Sequence, residues 1–425
     1  MRKLGFNMVN PDTLRKYARL AVRTGANVQK GQLLVLTASV DCAPFARLCV
    51  EEAYLAGAGE VQVIWTDEQT SLLRYEHESE DTLAAVPNWQ VEQKRETIAR
   101  KCCYLYIDSD TPGLLSHIPG PRLQAVSVAR REAFEPFQYY TMANHGQWSI
   151  VAIPTPAWAE QVFPDDAPDV ALEKLWDAVL MSVRITPDND PVAEWRRHDE
   201  ALMANSRRLN EYNFRSLHFT SGLGTDLTVE LVPGHVWAGG GSTSRSGVFF
   251  NPNMPTEEVF SMPLKTGVNG VVYASKPLDY QGKLIRDFWF RFQDGAVVDY
   301  GAGQGLDALK NLVEFDEGSR YLGEVALVPH RSPISQSGVL FLSTLFDENA
   351  SCHLALGEAY PENVQGGEDM TRAQLDAAGA NHSKEHCDFM FGTADLSVTG
   401  TTQDGKEVAV FRDGAFVMEA GFVEG

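Results

Sequence analysis

The chain has 425 residues, 44% hydrophobic and 22% charged, the balance of an ordinary globular protein with length enough for two domains. Its formal charge of −21 argues against nucleic acid and anionic membrane as partners, since both would be repelled, and suits a cationic ligand or bound metal ions. Residues 1–7 hold no apolar signal-peptide core and no apolar run approaches membrane-spanning length. Six cysteines without framework spacing and without a Cys-x-x-Cys complete the case for a protein of the reducing cytoplasm.

In chain order, the first half alternates helix and strand. Asn10-Pro11 sets a capping side chain before a proline in the first helical turn, and Leu14, Tyr17, Ala18 and Ala21 then fall on one face until Gly25. Residues 33–37 form a short continuous apolar run, suited to a buried parallel strand. A helix over 43–56 stops at Gly57 and is followed by a strand over 61–65, a helix over 91–101 and a strand over 104–107. A strand over 149–153 and a helix over 170–183 close the series. The alternation predicts an α/β domain, doubly wound around a mostly parallel sheet, over residues 1–187. No Gly-x-Gly-x-x-Gly follows its first strand, so a dinucleotide fold by topology need not bind a dinucleotide.

After Thr186-Pro-Asp-Asn-Asp-Pro191, a run of chain breakers, a charged helix over 192–212 bridges to a different texture. Residues 217–220, 227–232, 270–274 and 288–292 have strand character. Asp294-Gly295, Asp404-Gly405 and Asp413-Gly414 each sit between strand-like runs as hairpin turns. Only 306–313 and 371–378 look helical. The second domain, 188–425, is therefore predicted as α+β with a largely antiparallel sheet, and it concentrates the candidate ligands.

Pro255-Thr-Glu-Glu-Val-Phe260 places Glu257 and Glu258 at the mouth of an apolar strand, where alternation turns them to opposite faces and leaves one of them solvated. Tyr321-Leu-Gly-Glu-Val-Ala-Leu-Val-Pro329 sets Glu324 inside an apolar segment, a costly place for a carboxylate that is neither paired nor metal-bound. Asn349-Ala-Ser-Cys-His-Leu-Ala-Leu-Gly-Glu-Ala-Tyr360 does the same for His353. In Asn381-His-Ser-Lys-Glu-His-Cys-Asp-Phe-Met-Phe-Gly392, His386 and Asp388 share a strand face while Cys387 points away. Each has a plain structural alternative: a salt bridge for Glu324, a satisfied core position for His353, a hydrogen-bonded pair for His386 and Asp388. Their co-occurrence in one domain favours a site for divalent metal. Gly301-Ala-Gly-Gln-Gly305 lacks the remaining glycine of a nucleotide loop and reads as a turn.

Taken together and in order, Pro-Thr-Glu-Glu-Val-Phe, Leu-Gly-Glu-Val-Ala-Leu-Val, Asp347-Glu-Asn-Ala-Ser-Cys-His-Leu-Ala-Leu-Gly and Asn-x-Ser-x-x-His-x-Asp-Phe-Met resemble the metallo-aminopeptidases of the aminopeptidase T, AmpS and PepS type. The resemblance covers nearly the whole chain, including residues 27–32, 53–58 and 156–159. It implies two divalent metal ions (Zn, Co, Mn or Mg) held by Glu258, Glu324, His353, His386 and Asp388, with Tyr360 beside them. It implies removal of N-terminal residues from short peptides with a free N-terminus by a two-metal activated water, in a homodimer. Within that chemistry Glu257 is the candidate to shuttle a proton to the leaving amine, and Tyr360 to hydrogen-bond the tetrahedral oxyanion. Glu358 reads as a surface or supporting group, and His382 and Cys387 have no assigned role. The first domain, which carries none of these ligands, is expected to screen access or to dimerise. The competing readings are a non-catalytic small-ligand-binding protein with a structural metal, and a metal-dependent amidase acting on non-peptide amides.

Overall fold

The computed structural model describes residues 5–281 and 283–423. Contacts divide the chain into two compact units: one runs to Arg196 and regains Gly241–Pro255, the other comprises Arg197–Gly240 and continues from Thr256. The division falls inside the helix Pro191–Tyr212.

In the first unit, β1 (Leu33–Ser39) lies between β2 (Glu60–Thr66) and β3 (Cys103–Asp108), and β4 (Trp148–Ala152) lies outside β3. All three pairings are parallel. Leu33, Leu34, Val35 and Leu36 are all buried, because a parallel strand at the middle of such a sheet is covered on both faces. The helix Pro11–Leu20 begins as expected, with Asn10 Oδ1 accepting from Asp12 N at 2.9 Å, and the Tyr17 hydroxyl donates to the Ala152 carbonyl to tie this helix to β4.

Five helices here carry no sequence expectation: Glu68–His77, Glu80–Ala84, Gly120–Ala133, Glu135–Met142 and Pro156–Val162. The reason is visible in their burial. Glu68–His77 buries no residue, and Gly120–Ala133 buries only Val126, so no apolar stripe marks them. Local devices support the first of them instead: Asp67 caps it by accepting from Gln69 N and Thr70 N, and Arg74 pairs with Glu78 one turn on.

The second unit contains two antiparallel sheets. In chain order its strands are β5 (Phe214–Thr220), β6 (Asp226–Leu231), β7 (Ala238–Gly239), β8 (Val259–Ser261), β9 (Pro263–Tyr273), β10 (Leu278–Tyr280), β11 (Lys283–Gln293), β12 (Ala296–Gln304), β13 (Leu322–Leu327), β14 (His353–Gly357), β15 (His386–Met390), β16 (Ser397–Thr402), β17 (Glu407–Arg412) and β18 (Ala415–Phe416). The larger sheet runs β10-β11-β9-β6-β5-β16-β17-β18, with β12 paired to β11; the smaller runs β15-β14-β13-β8-β7. Asp294 and Gly295, at φ 49° and 83°, make the tight turn from β11 to β12. Beyond the two expected helices, now Leu306–Val313 and Arg372–Ala378, short helical turns occur at Pro333–Ser337 and Thr344–Asp347. Turns of that length cannot express a helical period in sequence.

One face of the smaller sheet, carrying Val259, Val325, Leu327, Leu354, Leu356 and Phe389, joins Phe219, Val229 and Phe290 of the larger sheet in a common core. Phe389 is fully buried, with its ring 4.9 Å from Phe290 and 6.0 Å from Phe288. Phe389→Ala is expected to cost about 3–5 kcal/mol. Chemical denaturation of the metal-free protein checks this, and an unchanged midpoint would deny the shared core.

Candidate metal centre

The opposite face of the smaller sheet is chemically different, and strand register explains which residues reach it. Across β8, β13, β14 and β15, Phe260 faces Ala326, Ala326 faces His353, and His353 faces Met390. Along the strands from that row, Glu324 faces Ala355 and Ala355 faces Asp388, while Gly357 faces His386. Directly opposed residues project to the same side, so Glu324, His353, His386 and Asp388 share one face, and Glu258, two residues before Phe260, joins them. Ala326 and Ala355 floor the space between the polar groups. Gly357 has φ 113°, and a Cβ there would run into the Glu385 carbonyl, so this strand can approach the loop before β15 only as glycine.

The polar atoms form two triplets, Glu258–Glu324–His353 and Glu324–His386–Asp388, each with one ligand atom per residue lying within 4.8 Å of the others. Glu324 belongs to both. His353 Nε2 is 3.0 Å from Glu258 Oε2 and 3.3 Å from Glu324 Oε1; His386 Nε2 is 3.5 Å from Asp388 Oδ1 and 3.7 Å from Glu324 Oε2. Each imidazole is turned by a backbone carbonyl: His353 Nδ1 donates to Ser351 O at 3.2 Å and His386 Nδ1 to Glu358 O at 2.8 Å. That leaves both Nε2 atoms to face the carboxylates as electron-pair donors, the usual outer support of a metal-ligating histidine. Glu258 Oε2 and Asp388 Oδ1 are buried without a hydrogen-bond partner among the described residues, the 3.0 Å approach of His353 to Glu258 lacking hydrogen-bond alignment. Buried, unsatisfied carboxylate oxygens beside imidazole nitrogens fit divalent cations.

Protons and metal compete for these groups. Burial alone would lower the pKa of His353, but Glu258 and Glu324 outweigh it and hold it well above the usual histidine value. For His386, burial is overcome chiefly by Asp388, which pushes the imidazole up to about 10. Burial raises Glu324, opposed by His353; burial also works to raise Asp388, but His386 outweighs it and keeps that carboxylate below its usual range.

Tyr360 lies against the centre, its ring 4.7 Å from the His386 ring and 6.4 Å from Phe260. Burial first, then the Glu324 and Asp388 carboxylates, hold its hydroxyl protonated well above the ordinary range. Glu257 is in neither triplet. It is only 4% exposed and Glu258 9%, so the expected solvated member of the pair does not exist. Glu257 Oε2 lies 3.7 Å from His198 Nε2, and that nitrogen donates to Thr256 O at 2.7 Å. Both members of the acidic pair are buried, Glu257 towards His198 and Glu258 towards His353.

Sequence reasoning passed over Glu348. It sits in a helical turn ahead of β14, 9% exposed, where burial and the carboxylates of Asp388, Glu258 and Glu324 hold its carboxyl well above the usual range. Asn349 beside it is fully buried, accepts from Glu257 N at 2.7 Å and donates to Leu345 O at 3.0 Å. The acidic residue five positions before His353 was the available signal, but nothing local distinguishes it from Asp347. Glu358 accepts from Arg372 at 2.6 Å, is paired with His382 at 2.7 Å and accepts from Ser383 N at 2.8 Å, so its side chain anchors the loop while its carbonyl turns His386. Cys387 points to the core face.

Two carboxylate–imidazole triplets sharing one glutamate form a candidate donor set for divalent metal ions. The family model described as thermophilic metalloprotease (M29) matches residues 10–416, and the chain belongs to that family: it is an aminopeptidase, a hydrolase. It is 44% identical over 406 residues to aminopeptidase 2 of Geobacillus stearothermophilus, covering 96% of this chain and 98% of that one. Against aminopeptidase AmpS of Bacillus subtilis it is 44% identical over 401 residues, 94% of this chain and 97% of the other. The solved structure of wild-type AmpT from Thermus thermophilus superposes with a TM-score of 0.89 at 37% identity, over 96% of this chain and 99% of that one. Among the described residues no helix is long and apolar enough to cross a membrane.

Proposed function

We propose that this enzyme removes the N-terminal residue of short peptides, with one divalent ion held by Glu258, Glu324 and His353 and a second by Glu324, His386 and Asp388. The observation that carries this reading is Glu324, a buried carboxylate with both oxygens directed at different imidazoles. Zn, Co, Mn or Mg would suit the oxygen-rich donors. Bound cations supply Lewis-acid polarisation of the scissile carbonyl and acidify water.

The protein groups do the rest. An unblocked N-terminus offers the centre a free amine, which a blocked peptide lacks. Glu348, buried in the turn ahead of β14, takes in this reading the role of passing a proton toward the leaving amine, in preference to Glu257. Tyr360 keeps its proton and can donate it in a hydrogen bond to an oxyanion. Loss of anilide release from leucine p-nitroanilide on EDTA treatment, its return with metal, and inertness of the N-acetylated substrate are the expected results. A single ion per chain in the fully active protein would overturn the two-ion assignment.

The proton competition yields a second test. In the metal-free protein His386 is raised from 6.5 to about 10, so its contribution to stability is complete below pH 6.5 and is lost as pH rises through about 10. Metal must displace that proton, so metal uptake should release protons at pH 7.5 and the affinity should climb with pH until about 10. Calorimetric titration in two buffers of different ionisation enthalpy measures the release. Identical heats in both buffers would contradict it.

A further inference from the structure

Four of the five candidate ligands sit in paired strands: Glu324 in β13, His353 in β14, and His386 and Asp388 in β15. Glu258 does not. The pairings of β8 begin at Val259, one residue later, so no ladder fixes the backbone that aims Glu258. Glu348, in the turn ahead of β14, is likewise outside every strand. Asn349 ties these two together. It is fully buried, its Oδ1 accepts from Glu257 N at 2.7 Å, and its Nδ2 donates to Leu345 O at 3.0 Å, with Glu348 Oε1 3.4 Å away. The peptide unit between Thr256 and Glu257 is planar and is gripped at both polar ends, its N–H by Asn349 and its carbonyl by His198 Nε2 at 2.7 Å. On the other side of Glu348, the Asp347 carboxylate accepts from Phe341 N at 2.8 Å and Ser343 N at 3.1 Å. Both neighbours of Glu348 therefore clamp backbone, which sets the turn from which Glu348 extends.

We propose that Asn349 is a positioning residue that stands in for the missing strand pairing, holding Glu258 in the first triplet and Glu348 at a fixed distance from it. The inference rests on the two-ion reading and on the proton-transfer role of Glu348 given above. Asparagine meets both demands with one planar group, an oxygen that accepts and an NH₂ that donates, and it adds no charge beside the acidic ligands. Aspartate in its place could still accept from Glu257 N but could not donate to Leu345 O. Among the described residues the hydrogen bonds of the Asn349 side chain reach Glu257, Leu345 and Glu348, and none of the second triplet. The two ion sites therefore differ in their dependence on it. Without Asn349 the ion at Glu258, Glu324 and His353 loses the support of its one ligand outside the ladder, while the ion at Glu324, His386 and Asp388 keeps strand pairing behind every ligand.

The test is calorimetric titration of the full-length, metal-free protein with Zn²⁺, followed by kinetics on leucine p-nitroanilide at saturating metal. Asn349→Ala should weaken one of the two ions about 10–100-fold, the usual cost of removing an outer support, and leave the other unchanged. At saturating metal its kcat should fall about 10²-fold with KM near wild type, because the displaced group is Glu348 and not a substrate contact. Asn349→Asp should restore the affinity of the weakened ion while kcat stays low. In a Glu258→Ala background, adding Asn349→Ala should leave the remaining ion unchanged, which identifies the ion that Asn349 supports. Equal weakening of both ions, or a kcat loss that follows a fallen thermal midpoint with no recovery of metal affinity in Asn349→Asp, would mark a general structural role and overturn the proposal. Wild-type affinities and kcat in Asn349→Ala would overturn it too, leaving the two-ion reading intact. A wild type that takes up one ion only would overturn both.

Discussion

Glu324→Ala is expected to remove both metal ions together and to lower kcat/KM by at least about 10³-fold. The expectation follows from its position in both triplets: Oε1 faces His353 at 3.3 Å and Oε2 faces His386 at 3.7 Å. Glu258→Ala and Asp388→Ala each take a donor from one triplet only, so each should retain the ion of the other. Metal analysis per chain distinguishes the cases. Glu324 sits within β13, whose Val325 and Leu327 pack on the core face, so its removal should leave the sheet folded. Full metal content in a folded Glu324→Ala variant would end the shared-ligand assignment.

Glu348→Gln should lower kcat about 10²–10⁴-fold while metal content and KM stay near wild type. Glutamine preserves size and the contact with Asn349 but can neither take up nor deliver a proton as a carboxyl group does. Glu257→Gln is the matched control. Its side chain approaches His198, and its backbone is held by Asn349 whichever side chain it bears, so a much smaller loss of rate is expected. If Glu257→Gln instead shows the large loss and Glu348→Gln the small one, the proton-transfer role belongs to Glu257.

The helices and strands that bury an apolar face could be read from residues alone. The run 33–37 became β1, and 43–56 a helix ended by Gly57 at φ 100°, because burial on both faces or along one stripe writes its period into the sequence. The helices Glu68–His77 and Gly120–Ala133 could not be read in this way, since caps and surface ion pairs rather than a buried stripe support them. The same division runs through the centre. Glu324, His353, His386 and Asp388 were conspicuous as polar residues inside apolar strands, and their family resemblance added a common purpose.

Sequence by itself thus determined which chemistry the chain carries and the type of unit that carries it, because a charge in an apolar strand is a local, readable conflict. Tertiary structure decided what that chemistry is aimed at. Register between β8, β13, β14 and β15 brought together side chains separated by up to 130 positions, since 388 − 258 = 130. It also placed Glu257 against His198, Glu348 among the carboxylates, and Phe260 beside Tyr360. None of these is a local conflict: each residue is unremarkable among its sequence neighbours, and only the pairing of distant strands and loops sets the distances on which the proposed acid–base roles rest.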